Sequence, residues 1–202
     1  MSSERILVGG LFAAGLAVLS YTAFGPLVTP VMAQEDGPGP NLIIDVAGEA
    51  NGQVVIDLAS DVAPNHVAQI VALAKEGQYD NVVFHRVIDG FMAQTGDVQF
   101  GKAAGDLSMA GMGGSSMPDL GAEFSSLSFD RGVVGMARSQ DPNSANSQFF
   151  IMFAPAPHLD GQYTIVGRVV SGMEVVDAIK RGEGRNGEVT SPDVMVKVAV
   201  QE

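Results

Sequence analysis

Apolar and polar positions divide the chain into three stretches. Behind Arg5, positions 6 to about 19 are almost continuously apolar; positions 34–40 are acidic and Gly/Pro-rich without an apolar period; from 41 onward, short apolar runs alternate with turn residues. In this third stretch the β-branched runs 42–46 and 54–58, separated by the Gly48 to Gly52 turn region, predict two paired strands. Pro64 suits a first helical turn, and Val67, Ile70, Val71 and Ala74 keep i, i+3, i+4, i+7 spacing until Gly77, which predicts a helix with one face on a sheet. The runs 82–88 and 91–95 flank Asp89-Gly90, a two-residue hairpin signal, so Arg86 and Phe91 should be carried together. Positions 102–121, rich in Gly, Ser, Ala and Met, read as a long surface loop whose methionines fill gaps against the sheet. Three more strands are predicted at 132–137, 148–153 and 163–170, and a last one at 194–200. Ser171-Gly172-Met173-Glu174 has a capping-box pattern that would open a second helix running through Ile179 to a stop at Gly182.

Eight short strands and two helices predict a mainly β fold: a closed eight-stranded antiparallel β-barrel capped by two α-helices, since closure removes exposed strand edges. The 202 residues, 46% of them hydrophobic, suffice for one such domain, at 41–202, preceded by a linker at 34–40. Residues 1–33 read as a secretory signal peptide, with Val31 and Ala33 as the small residues before a cut after Ala33. The protein would then be periplasmic or otherwise exported. The alternative is an uncleaved anchor over 6–28, which would tether it to the membrane facing the periplasm.

Charge and composition narrow the chemistry. A net charge of −12 with scattered lysines and arginines argues against a nucleic-acid partner. The chain has no cysteine, which excludes disulfides, thiolate catalysis and Cys-based zinc sites. His66, His85 and His158 lack metal-ligand spacing, so no metal is expected. Gly182 to Gly187 fits G-x-G-x-x-G, but it follows a predicted helix instead of linking a strand to one, and the dinucleotide reading fails. Ser147 has no nucleophile-elbow pattern.

Two segments carry the positive signal: Phe84-His85-Arg86-Val87-Ile88-Asp89-Gly90-Phe91-Met92-Ala93-Gln94-Thr95-Gly96-Asp97, and Ser144-Ala145-Asn146-Ser147-Gln148-Phe149-Phe150-Ile151. They place one permanent cation among apolar and neutral amide side chains, which suits a reaction without nucleophile or proton transfer. Both segments closely resemble the cyclophilins, peptidyl-prolyl cis-trans isomerases, and the resemblance runs from about Asn41 to the C-terminus. It implies an eight-stranded barrel with its ligand groove on the outer face, no cofactor, and acceleration of Xaa-Pro rotation by non-covalent stabilisation of the twisted amide.

By matching position, the resemblance assigns catalysis to Arg86 and the prolyl pocket to Phe91, Met92, Phe150 and Leu159. Gln94 and Gln148 match amide groups that orient substrate carbonyls and the arginine, and Ala137 and Arg138 match residues whose backbone pairs with an extended peptide. His85 is expected beside Arg86, as a brace or a substrate contact, and Asp97 as a turn or barrel-end hydrogen-bonding residue. His158 stands where many eukaryotic members carry tryptophan, and Tyr163 where they often carry histidine. Loss of the indole face implies weak binding of cyclosporin. Arg138, standing where asparagine is common, would suit acidic residues flanking the proline. The implied partners are proline-containing unfolded or flexible polypeptides, with a membrane involved only if the N-terminal segment is uncleaved, and the chain is expected to be a monomer. The competing reading is a proline-peptide-binding chaperone or scaffold with little turnover.

Overall fold

The computed structural model describes residue 37 and residues 39–202. The expected signal peptide at 1–33, its rival reading as an anchor, and most of the 34–40 linker lie outside the described residues.

The described chain forms β1 (Asn41–Ala47), β2 (Gly52–Leu58), α1 (Pro64–Lys75), β3 (Val82–Val83), β4 (Arg86–Ile88), β5 (Met92–Thr95), β6 (Val133–Met136), β7 (Phe149–Met152), β8 (Ile165–Ser171), α2 (Met173–Ala178) and β9 (Val194–Gln201). The nine strands make one sheet in the order β3-β9-β1-β2-β8-β6-β7-β5-β4, with every pairing antiparallel. The expected count of eight is corrected to nine because the 82–88 run changes partners midway. Val82 and Val83 pair with Met195 and Val194, whereas Arg86 to Ile88 pair with Gln94 to Met92. Phe84 N–H still donates to Asp193 on the β9 side, and Val87 N–H already donates to Gly187. Since β3 and β4 end the strand order and only Phe84 and His85 separate them, the chain itself joins the two ends of the curled sheet. No continuous ladder is needed for that closure.

The capping box is also corrected. Ser171 stays in β8, paired with Val55, and the N-cap is Gly172, left-handed at φ 83° and without a side-chain cap. A Cβ at Gly172 would lie 2.1 Å from the Gln53 carbonyl oxygen, so only glycine can turn this corner against β2. The helix then runs only to Ala178, short of the expected stop at Gly182. On α1 the apolar face buries Val67, Ile70, Leu73 and Ala74. Its N-cap, Ala63, offers no acceptor; the Glu123 carboxylate takes the Asn65 and His66 N–H groups at 3.2 and 3.1 Å and the His66 ring at 2.5 Å. Burial works against the charge on Glu123, but these bonds outweigh it and hold its pKa below the usual carboxylate range.

Strand alternation separates two apolar clusters and so decides where the groove lies. On β7, Phe149 and Ile151 enter the main core with Ile44, Ile56 and Val134, while Phe150 and Met152 face a second cluster with Met92, Phe129, Leu159 and Ile165. β5 divides likewise, Ala93 inward and Met92 outward. Opposite Phe150, a Cβ on Gly135 would come within 2.6 Å of both the Phe129 and Phe150 rings; glycine lets the two stack at 5.8 Å. Of the loop methionines, Met117 packs on the core as expected, but Met109 and Met112 are exposed, so gap-filling does not hold for them.

Candidate active site

The hairpin of β4 and β5 sets Arg86 directly across from Gln94. The loop between the two strands is Asp89-Gly90-Phe91, one residue longer than the expected two-residue turn because Ile88 pairs with Met92; Phe91 N–H donates to the Ile88 carbonyl at 3.0 Å, and Gly90 supplies the left-handed φ of 67°. Across β5, Gln94 pairs in turn with Phe150 of β7. Three neighbouring strands therefore present a cation, an amide and an aromatic ring side by side on the outer face.

Arg86 is held at several points. Its Nε donates to the Asn186 carbonyl at 3.0 Å and its Nη1 to Gln94 Oε1 at 3.1 Å, with Met92 Sδ at 4.0 Å from Nη1. Gln94 Nε2 donates to Gln148 Oε1 at 2.9 Å, and Gln148 Nε2 donates to the Gly111 and Gly113 carbonyls at 3.0 and 2.8 Å. Burial lowers the Arg86 pKa, but a guanidinium starts so high that it stays protonated. Among the described residues no carboxylate lies within ion-pairing distance of Arg86, and its Nη2 makes no hydrogen bond.

Arg86, Phe91, Met92, Gln94, Ala137, Arg138, Phe150, Leu159 and Tyr163 line one cavity of about 180 Å³. Gln148 lines an adjoining cavity of about 350 Å³, which shares Gln94, Ala137 and Arg138 with the first. Arg138 lies at the junction, donating to the Ser139 and Gln162 carbonyls at 2.9 Å each, with its guanidinium 4.3 Å from the centre of the Tyr163 ring. His158 is exposed at the rim and stacks on Phe91 at 5.8 Å. The expected set thus comes together, with one exception.

His85 lies elsewhere. It lines a separate cavity with Leu107, Ala110, Val189 and Pro192, and the Gly111 backbone closes over its ring. Of the two expected roles, brace or substrate contact, the second has no support in this placement, since neighbours along a strand-like segment face opposite ways and His85 lines neither groove cavity. Both ring nitrogens are buried without a partner among the described residues. Burial lowers the His85 pKa, with the nearby Arg86 charge adding to it and Asp97 opposing it. The folded protein therefore refuses a proton that the unfolded chain accepts below the ordinary imidazole value of 6.5, so stability is full above that pH and is lost on acidification. The urea midpoint should fall between about pH 7.5 and pH 5.5, and fall less in His85→Gln; an equal fall in both would remove His85 as the cause.

Reading the sequence missed Gly111, Met112, Gly113, Ser139 and Asn146 as walls of the larger cavity. Asn146 lay inside the quoted motif, but the Gly111–Gly113 segment belongs to a loop without a period and carried no signal. Fold and groove together define an antiparallel barrel whose working surface is external: a fixed cation beside an apolar slot, with no nucleophile in the slot.

Comparison with known proteins gives this class its family. The family described as "Cyclophilin type peptidyl-prolyl cis-trans isomerase/CLD" matches residues 43–200. A "Probable peptidyl-prolyl cis-trans isomerase" of Brucella suis is 59% identical over 154 residues, covering 75% of this chain and 79% of that protein. A "Peptidyl-prolyl cis-trans isomerase-like 1" of Aspergillus fumigatus is 41% identical over 131 residues, 62% and 74% of the two chains. Among solved structures, a cyclophilin from Hirschia baltica superposes with a TM-score of 0.67 at 27% identity, covering 81% of this chain and 74% of that one. A cyclophilin-type isomerase of Cryptosporidium parvum, crystallised in the presence of the dipeptide Ala-Pro, gives 0.69 at 26%, covering 80% and 99%. The chain belongs to the cyclophilin family of peptidyl-prolyl cis-trans isomerases and is an isomerase of that kind.

Proposed function

We propose that the groove binds proline-containing segments of unfolded or flexible polypeptides, and that Arg86 accelerates their isomerisation by stabilising the twisted amide. Rotation about an Xaa-Pro bond faces a barrier of about 20 kcal/mol because amide resonance must be broken. At the top of that barrier the prolyl nitrogen has lost conjugation and regained a lone pair. A donor fixed beside it bonds more strongly than it does to the planar ground state, which is what catalysis requires. The observation that carries the reading is the held Arg86 guanidinium with an uncommitted Nη2 at the apolar cavity of Phe91, Met92, Phe150 and Leu159. Gln94 and Gln148 orient the arginine and substrate carbonyls, and Ala137 and Arg138 offer backbone to an extended chain. His158 and Tyr163 bound the rim. The Ala-Pro dipeptide used with the Cryptosporidium protein supports this choice of ligand.

The biological setting we propose is export, with a leader cut after Ala33 or kept as an anchor, and action as a monomeric folding helper for other exported chains. The test combines two measurements. Magnetisation exchange on a proline tetrapeptide should show cis-trans exchange accelerated by catalytic amounts of protein; binding without acceleration would favour a scaffold instead. The intact mass of the protein from the envelope fraction should correspond to a chain beginning at Gln34, and a full-length mass would select the anchor.

A further inference from the structure

Asp97 lines neither groove cavity and is fully buried, so it cannot meet substrate. Its carboxylate nevertheless accepts four backbone N–H groups. Oδ1 takes those of Gln99 and Phe100 at 3.0 and 2.9 Å, and Oδ2 takes those of Gly111 and Gly113 at 2.8 and 2.9 Å. The second pair is the informative one. With the Gly111 and Gly113 N–H groups committed to Asp97, the carbonyls of the same two residues are held toward Gln148, and both accept from its Nε2.

That contact fixes which end of each amide points where. Gln148 must present its oxygen to Gln94 Nε2, and Gln94 must then present its own oxygen to Arg86 Nη1. Reversing either amide would set donor against donor or acceptor against acceptor along the line. The direction of every bond from the loop to the guanidinium is therefore dictated from the buried end.

From this geometry we infer that Asp97 is a positioning residue for Arg86, acting through Gly111, Gly113, Gln148 and Gln94. The inference rests on the reading of Arg86 given above. Asp97→Asn keeps one oxygen for Gln99 and Phe100 but turns an NH₂ group toward the Gly111 and Gly113 N–H groups, which then lose their acceptor. A catalytic group displaced by about 1 Å loses up to about a hundredfold in rate, and the arginine here keeps one anchor, the Asn186 carbonyl.

The test is a double-mutant cycle on a proline tetrapeptide, with kcat and KM from exchange kinetics and Tm from thermal unfolding. Asp97→Asn is expected to lower kcat about tenfold, Gln148→Leu to lower it by a similar factor, and the double variant to fall no further than Gln148→Leu alone. Equal kcat with only Tm lowered, or losses that multiply in the double variant, would overturn the inference, since a purely structural role would act regardless of Gln148. If Asp97→Asn does not fold, Asp97→Glu keeps the charge and both acceptors while shifting them by one methylene, and its loss of kcat should likewise vanish beside Gln148→Leu. Wild-type turnover that survives Arg86→Ala would sink the underlying assignment of Arg86. A large loss in Arg86→Ala with multiplicative Asp97 and Gln148 effects would sink this inference alone.

Discussion

Replacing Arg86 by alanine is expected to lower kcat/KM on a proline tetrapeptide by two to three orders of magnitude, roughly the loss seen when one preorganised donor is removed from a reacting centre. The physical ground is differential binding. In the planar amide the prolyl nitrogen is a poor acceptor, and in the twisted amide it is a good one, so the guanidinium stabilises the barrier top more than the ground state. Each factor of ten corresponds to about 1.4 kcal/mol, and a charge-assisted bond to a buried acceptor supplies about 1.5–3 kcal/mol, which exclusion of water in the slot can raise. Circular dichroism and Tm should stay close to wild type, because the bonds lost, to Gln94 and the Asn186 carbonyl, lie at a partly exposed surface. Arg86→Lys should recover only part of the rate, since an ammonium lacks the planar fork that serves Gln94, Asn186 and substrate together. Equal rates in wild type and Arg86→Ala would end the proposed mechanism.

Phe150→Ala should cost both stability and binding. The ring is only 5% exposed and lies between Phe129, stacked at 5.8 Å, and Tyr163, edge-on at 5.9 Å, over the gap left by Gly135. Truncating such a phenylalanine costs about 3–5 kcal/mol, a fall in Tm on the order of 10 °C for a domain of this size. Because the same ring lines the 180 Å³ cavity, KM should rise about tenfold, as a lost apolar wall of about 1.4 kcal/mol implies, with a smaller change in kcat. A fall in Tm with KM unchanged would make Phe150 a core residue that merely borders the groove.

These residues could be named from the sequence because the hairpin signal is local. Asp89-Gly90 marks the turn, although one further loop residue, Phe91, shifts the register by one and puts Arg86 across from Gln94 instead of Ala93. Strand alternation, also local, sends Phe150 and Met92 to one side and Ile151 and Ala93 to the other. What escaped depends on distant partners. The break at Phe84 and His85 follows from acceptors at Asp193 and Gly187, about a hundred residues on in both cases, and period-2 patterning encodes neither. Ser171 has the chemistry of a helix cap, but pairing with Val55 keeps it in the strand. The turn of His85 away from Arg86 follows from the same alternation, which places these consecutive residues of the Phe-His-Arg triplet in different cavities. The Gly111–Gly113 wall is defined by what holds it, Asp97 and Gln148, and neither partner leaves a trace in the loop's own composition.

The position of β9 between β3 and β1 has a consequence for biosynthesis. The stretch Val194–Gln201 is the last of the nine described strands to be synthesised, yet it carries the ladder partners of both the first strand and the third. A nascent chain that has not reached it has two unsealed strand edges and no native route to seal them. Closure of the sheet therefore has to wait until Val194–Gln201 has been made, and a chain stopped before Val194 would leave the edges of both β1 and β3 open.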